Sequence, residues 1–481
     1  MEERIYKKET KTQFNVKAIM FTLLLGSFIS LFNETILNVA FPQLMEQMKV
    51  NANTVQWLTT GYVLVVGILV PVTAFLIHTF TTKQLYLSAM ILFLLGTICA
   101  IFSSSFVALL VSRLIQALGT GMLIPIMMNS ALVVTPKEKH GSVMGLCVAV
   151  ISLGPALGPT VSGLMLQFFN WHSLFILLVP FLLICIAFGC MFLVNTSEIT
   201  KPKIDYLSIL LSSIGFAGVT YSISSVGTAK ALVTVIIFVI GLISLMLWSR
   251  RQFSLSEPML ELRAFKHPIF TIGVILFVLI QMFQFSANMI LPLLLQDGLN
   301  TSSFVSALSL LPAIVIAAIL APFVGKIYDK AGGRVLIPSG FLVICLFTFV
   351  LSHVTPATSV IAITLIYCFI MVGVSMAMST SQTAALSQLP GKNQADGVAI
   401  VNTAMQLAGA LGSAIYVGIM TAYQNRFLSQ VSDKASSQNQ VKAIFSGFRH
   451  SITVAAILIA IGFILSLILS SRCKKREKRK E

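Results

Sequence analysis

The sequence predicts an all-α polytopic membrane protein with fourteen spanning helices, and three observations carry that expectation. First, 57% of the 481 residues are hydrophobic and only 10% are charged, where soluble domains carry about 25% charged residues. Second, apolar runs near the roughly 20 residues needed to cross a bilayer recur at 17–41, 53–77, 84–103, 106–130, 141–166, 171–194, 204–224, 230–250, 268–294, 302–322, 333–353, 358–380, 397–423 and 451–471. Third, basic residues are sorted between alternate connections. Lys49, Lys230, Arg426, Lys434, Lys442 and Arg449 fall on one side, Arg113 falls inside a run, and the other 25 of the 32 Lys and Arg fall on the opposite side. The positive-inside rule makes that richer side cytoplasmic and places both termini there.

This sorting accounts for the formal charge of +16 without a nucleic-acid partner. The basic tail RCKKREKRKE reads as a lipid-headgroup anchor. The polar start MEERIYKKETKTQ leads into a full-length run, so no cleavable leader is expected. Six of the seven cysteines sit in apolar runs and the six histidines are scattered. No metal-ligand spacing and no phosphate-binding loop occur, so no metal, no cofactor and no enzymatic activity are expected. The longest hydrophilic connection, roughly 424–450, is too short for the soluble output domain of a receptor.

Taken in order, the runs concentrate their chemistry at a few positions. The first holds Glu34, the one acidic residue well within a span. A membrane-buried carboxylate costs about 3 kcal/mol at a helix centre. That cost falls when the acid is protonated or paired, the two states a proton carrier alternates between. Arg113 in the fourth run lies at a similar depth, about 10 Å at 1.5 Å per residue. Two readings stay open: Glu34 carries a coupling proton, with Arg113 tuning it or bonding carbonyls of the first helix, or the two form a permanent structural pair. Polar, aromatic or Met positions on apolar runs mark a candidate substrate cavity. They are Asn33, Gln56, Trp57, Tyr62, Gln116 and Asn129 early in the chain, and Gln281, Gln284, Asn288, Met376, Asn402 and Gln406 late in it. Gln281, Gln284 and Asn288 share one helical face. The alternative for each is an interhelical hydrogen bond.

The fifth run contains GSVMGLCVAVISLGPALGPTVSG from Gly141. On a helix, Gly141, Gly145, Ala149, Ser152 and Ala156 share one side, and Gly154, Gly158 and Ser162 share roughly the opposite side. Small residues let backbones approach closely in lipid, so this helix is expected to be wedged between two neighbours. Pro155 and Pro159 each remove an internal hydrogen bond. The chain also repeats itself. PVTAFLIHTFTTKQLYL from Pro71 and PFVGKIYDKAGGRVLIP from Pro322 both place a polar residue seven positions after the proline, His78 and Asp329, and Lys83 then matches Arg334. The repeat implies two six-helix halves, 1–200 and 264–481, around an inserted helix pair, 201–263.

These residues resemble known patterns. Gly145, Gly154, Gly158-Pro159 and Ser162-Gly163 resemble the fifth-helix antiporter motif of the major facilitator superfamily. Gly325 to Arg334 resembles its loop motif, which the first copy has lost, with Ala74 for the glycine and His78 for the aspartate. Arg113 to Gly121 resembles the fourth-helix motif. Gln56-Trp57 with Tyr62 and Pro71, and Asn402 to Gln406 with Gly409 and Gly412, resemble helices 2 and 13 of the fourteen-helix drug:proton antiporter branch. Thr35 to Pro42 is similar to that branch's first-helix signature, with Asn33 in place of its aspartate and the acid one position later as Glu34, about 100° around the helix.

The resemblance implies a major facilitator fold of two six-helix bundles plus an inserted pair. It implies a proton-coupled exporter of small lipophilic or amphipathic compounds, working by alternating access in a bacterial plasma membrane as a monomer. Glu34 and Arg113 would form the coupling site, with protons as the coupling ion. Gly325, Asp329, Lys330 and Arg334 would form a cytoplasmic gate, weakened in the first half. Substrates would be neutral or monovalent, because the tenth run, FVSALSLLPAIVIAAILAPFVG, holds no second acid. The alternative is a proton-coupled or facilitative transporter of one defined metabolite.

Overall fold

A computed structural model of the chain describes residues 15–196, 199–200, 205–224, 231–255, 258–390, 393–433 and 436–477, the side chains at 52, 53, 224, 231, 303, 304, 410 and from 472 onward excepted. The polar start and the basic tail read above therefore lie outside the described residues or side chains. Among the described residues, fourteen helices are long and apolar enough to span a membrane. They are α1 (Val16–Ile36), α2 (Trp57–Thr79), α3 (Thr82–Ile101), α4 (Phe106–Val134), α5 (His140–Met165), α6 (His172–Phe192), α7 (Tyr206–Ser224), α8 (Ala231–Ser254), α9 (Pro268–Leu293), α10 (Ser303–Ala331), α11 (Gly333–Leu351), α12 (Val360–Leu386), α13 (Gln394–Gln430) and α14 (Ser437–Glu477). An even number of alternating spans puts residues 15 and 477 on one face of the bundle, the terminal face; the other is the far face.

Local chemistry starts these helices where the sequence changes from polar to apolar. The Thr81 hydroxyl accepts from the Gln84 N–H, and the Gln84 side chain accepts from the Thr81 N–H, closing a capping box on α3. Ser105, Ser302 and Ser359 cap α4, α10 and α12 by accepting a backbone N–H three residues on. Between α10 and α11 the turn is a single residue, Gly332 at φ 72°. A side chain is strained at that angle, and glycine is not.

Helix packing repeats with an offset of eight. α1 packs on α4, α5 and α6, and α9 packs on α12, α13 and α14. α2 with α4, α3 with α4 and α3 with α6 recur as α10 with α12, α11 with α12 and α11 with α14. The contacts between the two sets obey the same offset: α5 on α10 matches α13 on α2, and α5 on α12 matches α13 on α4. α7 lies against both α2 and α13, along one of the two seams, and α8 packs on α7.

The connection 424–450 is a correction to the sequence reading. α13 continues to Gln430 and α14 begins at Ser437, so most of that hydrophilic stretch is helix. Polar composition hid an apolar side: Ala443, Ile444, Phe445 and Phe448 are buried. Ile444 and Phe445 cover Gly298 in the π turn Leu294–Gly298 that ends α9.

On the terminal face, α7 and α8 are tied by polar groups. Arg251 donates to both carboxylate oxygens of Asp205 at 2.7 and 3.0 Å. Ser208 donates to Asp205 at 2.6 Å, and Gln252 donates to Ser208 at 2.7 Å. The Arg251 guanidinium holds the Asp205 carboxyl down at about 2. A depressed carboxyl stabilises the fold above its unfolded value near 3.9, and loses that contribution as pH falls through the folded value. Asp205→Asn is therefore expected to lower the thermal midpoint at pH 7, with the difference from wild type closing between about pH 4 and pH 2. Differential scanning fluorimetry over that range checks it; a difference that persists unchanged at pH 2 rules out the ion pair as its cause.

Candidate transport site

Arg113 organises the interior of the first six helices. It is fully buried on α4, and its donors go to backbone oxygens of α1 and α2 and to one side chain of its own helix. Nη1 donates to the Asn33 carbonyl at 3.2 Å and to the Gln116 side-chain oxygen at 3.0 Å, and Nη2 donates to the Glu34 carbonyl at 3.2 Å. Nε reaches the Leu58 carbonyl at 3.5 Å. The guanidinium also lies over the Tyr62 ring, 4.2 Å from its centroid, a cation–π contact. Asn33 donates to Gln116 at 3.2 Å, Gln116 donates to Thr97 at 2.8 Å, and Tyr62 shares a 2.5 Å bond with Thr120. Five residues singled out in the sequence, Asn33, Tyr62, Arg113, Gln116 and the backbone of Glu34, thus form one network across α1, α2 and α4.

Glu34 sits at its edge. The side chain is half-buried, and it makes no ion pair among the described residues. A permanent Glu34–Arg113 pair is not what forms: the guanidinium is held by the carbonyls of α1, leaving the carboxylate beside it. The Asn33 side-chain oxygen is buried without a hydrogen-bond partner.

α5 is wedged as the two small-residue stripes predict. Gly154 and Gly158 face α1: a β-carbon at Gly158 would stand 2.9 Å from the Phe32 carbonyl oxygen and overlap the Thr35 hydroxyl. Gly141 and Gly145 face α10: a β-carbon at Gly145 would stand 3.0 Å from Pro322 Cα, and one at Gly141 would stand 2.6 Å from the Gly325 carbonyl oxygen. Pro159 cannot donate to the Pro155 carbonyl four residues back. Thr35 does so instead, at 2.9 Å, so the motif's proline creates the acceptor that pins α1 to α5. Gly163 is the exception: a β-carbon there would meet only Val39, at 3.9 Å, although its neighbour Ser162 is buried.

The two sets of six helices meet on the terminal-face side. Asp329, at the end of α10, accepts from the Gly141 N–H at 2.7 Å and the Ser142 N–H at 2.9 Å, and also from the Ser142 hydroxyl. Its carboxylate thereby caps the N-terminus of α5, where the helix dipole favours negative charge. Gly325 packs backbone to backbone on Gly141. Lys330 and Arg334 are exposed and take no part in these bonds, so of the four residues expected at a gate, Asp329 and Gly325 make the contact with α5. Deeper in, Asn402 and Gln382 direct their amide groups to Met128 Sδ, at 3.3 and 3.7 Å.

The remaining candidates divide. Asn402 belongs to this terminal-face junction, and Asn129, next to Met128 in the chain, is buried on α4. On α9, Gly273 faces α12 while Met282 and Phe285 face α13; by helical angle the Gln281, Gln284 and Asn288 side lies between those neighbours. Gln281 and Gln284 each keep a side-chain oxygen without a partner, whereas Asn288 is exposed. Met376 and Gln406 are half-buried. Trp57 departs from the cavity reading: 40% exposed, it stacks on Tyr221 of α7 at 5.8 Å, because the inserted pair occupies that side of α2. Gln56 is exposed ahead of α2. On the far-face side, Met289, Pro292, Leu293, Gln296, Asp297 and Val417 line a cavity of about 410 Å³. Sequence reading missed Thr97, Met128 and Gln382, and placed Thr35 and Thr120 in motifs without assigning them a contact. The run STSQT at 379–383, polar within an apolar helix and buried, was the available signal for Gln382.

Comparison with known proteins bears on the family and the fold. Residues 23–413 match the profile of the Major Facilitator Superfamily. Over 456 residues the chain is 42% identical to the lincomycin resistance protein LmrB of Bacillus subtilis, covering 94% of this chain and 95% of that one. It is 39% identical to the protein of the same name from Listeria monocytogenes, covering 94% and 96%. Among solved structures, the human organic anion transporter MFSD10 aligns with a TM-score of 0.65 at 13% identity, over 94% of this chain and 100% of that one, a likeness of fold.

Two outcomes follow from the α1–α5 contact. Thr35→Val leaves the Pro155 carbonyl unpartnered and is expected to cost about 1 kcal/mol of stability, read as a lower thermal midpoint of the purified protein. Gly158→Leu is expected to insert into the membrane and lose transport; transport at the wild-type rate would show that α5 does not approach α1 this closely.

Proposed function

This chain belongs to the major facilitator superfamily, and from that premise we propose that it exports small lipophilic compounds in exchange for protons. The observation that carries the coupling is the placement of Glu34: a half-buried carboxylate without an ion pair, beside a guanidinium held by its own helix. Such an acid is free to exchange a proton for a substrate. Relatives named for lincomycin resistance, matched along 94% of the chain, support an antibiotic-sized amphipathic substrate. The excess of basic residues on the terminal face makes that face cytoplasmic. On this reading the described arrangement, joined at the terminal face, is outward-facing. Release of the Asp329 cap and sliding of α5 past α10 then open the cytoplasmic side, and the glycine contacts keep that slide short and nearly backbone to backbone.

Asn33, Tyr62, Gln116, Gln281 and Gln284 supply adaptable hydrogen bonds and an aromatic face for the solute. One carboxylate balances one charge, so neutral and monovalent molecules are favoured over divalent ones, whose second charge would be buried unpaired.

Glu34→Gln is expected to abolish proton-driven dye export from cells while leaving membrane expression unchanged, and Glu34→Asp to retain part of it. Export by Glu34→Gln at the wild-type rate under a proton gradient would move the coupling to another acid, with Asp297 the next to test. A resistance panel of mono- and bis-quaternary compounds of matched lipophilicity checks the charge rule. Equal protection against both would refute the single-carboxylate site. Retention of the dye that rises, rather than falls, on expression of the protein would favour the uptake alternative.

A further inference from the structure

We infer that His78 and Asp396 form a second latch on the terminal face, in which the acid has moved from the loop onto the helix that the loop closes against. The offset of eight helices makes the α2–α13 seam the counterpart of the α5–α10 seam. Asp329 ends α10 and caps α5; His78, the residue at its repeat position, ends α2 and faces the start of α13. His78 Nε2 stands 3.8 Å from Asp396 Oδ2, and the two side chains are 20% and 10% exposed. Asp396 is the third residue of α13, as Ser142 is the third of α5. In both seams a carboxylate therefore lies at a helix N-terminus, where the dipole favours it. In the first seam it arrives from the opposing loop, and in the second it belongs to the helix. A loop acid at position 78 would then face another acid, whereas a base completes the pair.

Among the described residues, Asp396 is the carboxylate paired with His78. Lys83, on the next helix, donates to the Cys190 carbonyl at 2.6 Å. The connecting segment that crosses the end of α2 holds it through the Thr200 N–H, which donates to the His78 carbonyl at 3.0 Å. Its described residues, 193–196 and 199–200, are uncharged.

The two latches answer differently to pH. The Asp329 latch is made to backbone N–H groups and a hydroxyl, which do not titrate near neutrality. The other is an ion pair only when the imidazole is protonated. Acidification of the terminal face completes the ion pair and holds α2 against α13. By the repeat, Ala74 and Ala399 stand where the first seam has Gly325 and Gly145, and both are buried. In the transport reading the ion pair slows the return to the inward-facing state when the cytoplasm is acidic. That consequence rests on alternating access; the latch itself does not.

Hydrogen–deuterium exchange of the full-length protein in lipid nanodiscs tests the latch without any transport measurement. After correction for intrinsic exchange rates, amides at the start of α13 are expected to be about threefold more protected at pH 5.5 than at pH 7.5, the size of a modest partly exposed ion pair. His78→Arg should keep the greater protection at both pH values, and His78→Gln should lose it at both. Asp396→Asn should lose it even when combined with His78→Arg, which separates loss of the pair from misfolding of the loop. Asp329→Asn should lower protection of α5 and leave the pH response of α13 intact. Protection of wild type that does not change with pH, equal behaviour of His78→Arg and His78→Gln, or loss of the response in Asp329→Asn would each overturn the inference.

Discussion

Everything in this fold depends on how closely α5 approaches its two neighbours. In lipid, helices gain nothing from burying apolar surface against one another, so association rests on van der Waals contact and a few hydrogen bonds. α5 obtains both by removing side chains. Gly154 and Gly158 admit the backbone of α1, and Gly141 and Gly145 admit that of α10. The prolines add direction. The acceptor freed by Pro159 is taken by Thr35, which joins α1 to α5 within the span, whereas the Asp329 cap joins α10 to the tip of α5. In the proposed transport cycle the α1 side stays closed and the α10 side opens.

The same economy governs the buried charge. An isolated guanidinium in the membrane interior is costly, and Arg113 meets that cost with carbonyl oxygens and the Tyr62 ring rather than with a carboxylate. The arrangement fixes the backbone of α1 at Asn33 and Glu34, and among the described residues the Glu34 carboxylate forms no salt bridge to the guanidinium beside it. In the proposed reading that leaves the acid available for proton exchange.

Symmetry clarifies the terminal face. Both seams bring a carboxylate to a helix N-terminus, but they reach that outcome from opposite strands of the contact, through Asp329 in one and Asp396 in the other. Loss of the loop aspartate at position 78 therefore signals a changed partner, not an empty position.

Much of this was legible in the chain itself. Hydropathy alone specifies fourteen spans, because a bilayer demands long apolar segments and tolerates little else. The stripe positions on the fifth run, the loop repeat seven residues after Pro71 and Pro322, and the rarity of Glu34 and Arg113 follow from period and composition. What composition could not reveal is which polar groups meet. Trp57 turns to Tyr221 because an inserted helix lies there, and Lys330 and Arg334 stay outside the gate their motif suggests. The polar stretch after residue 423 folds as helix because its few apolar residues find the end of α9. Arg113 and Glu34 share a depth, yet only the path of α1 past α4 decides that the guanidinium takes backbone carbonyls. Helical period orders residues along one element; partners across elements are set by where the helices cross, and that is a property of the packed structure.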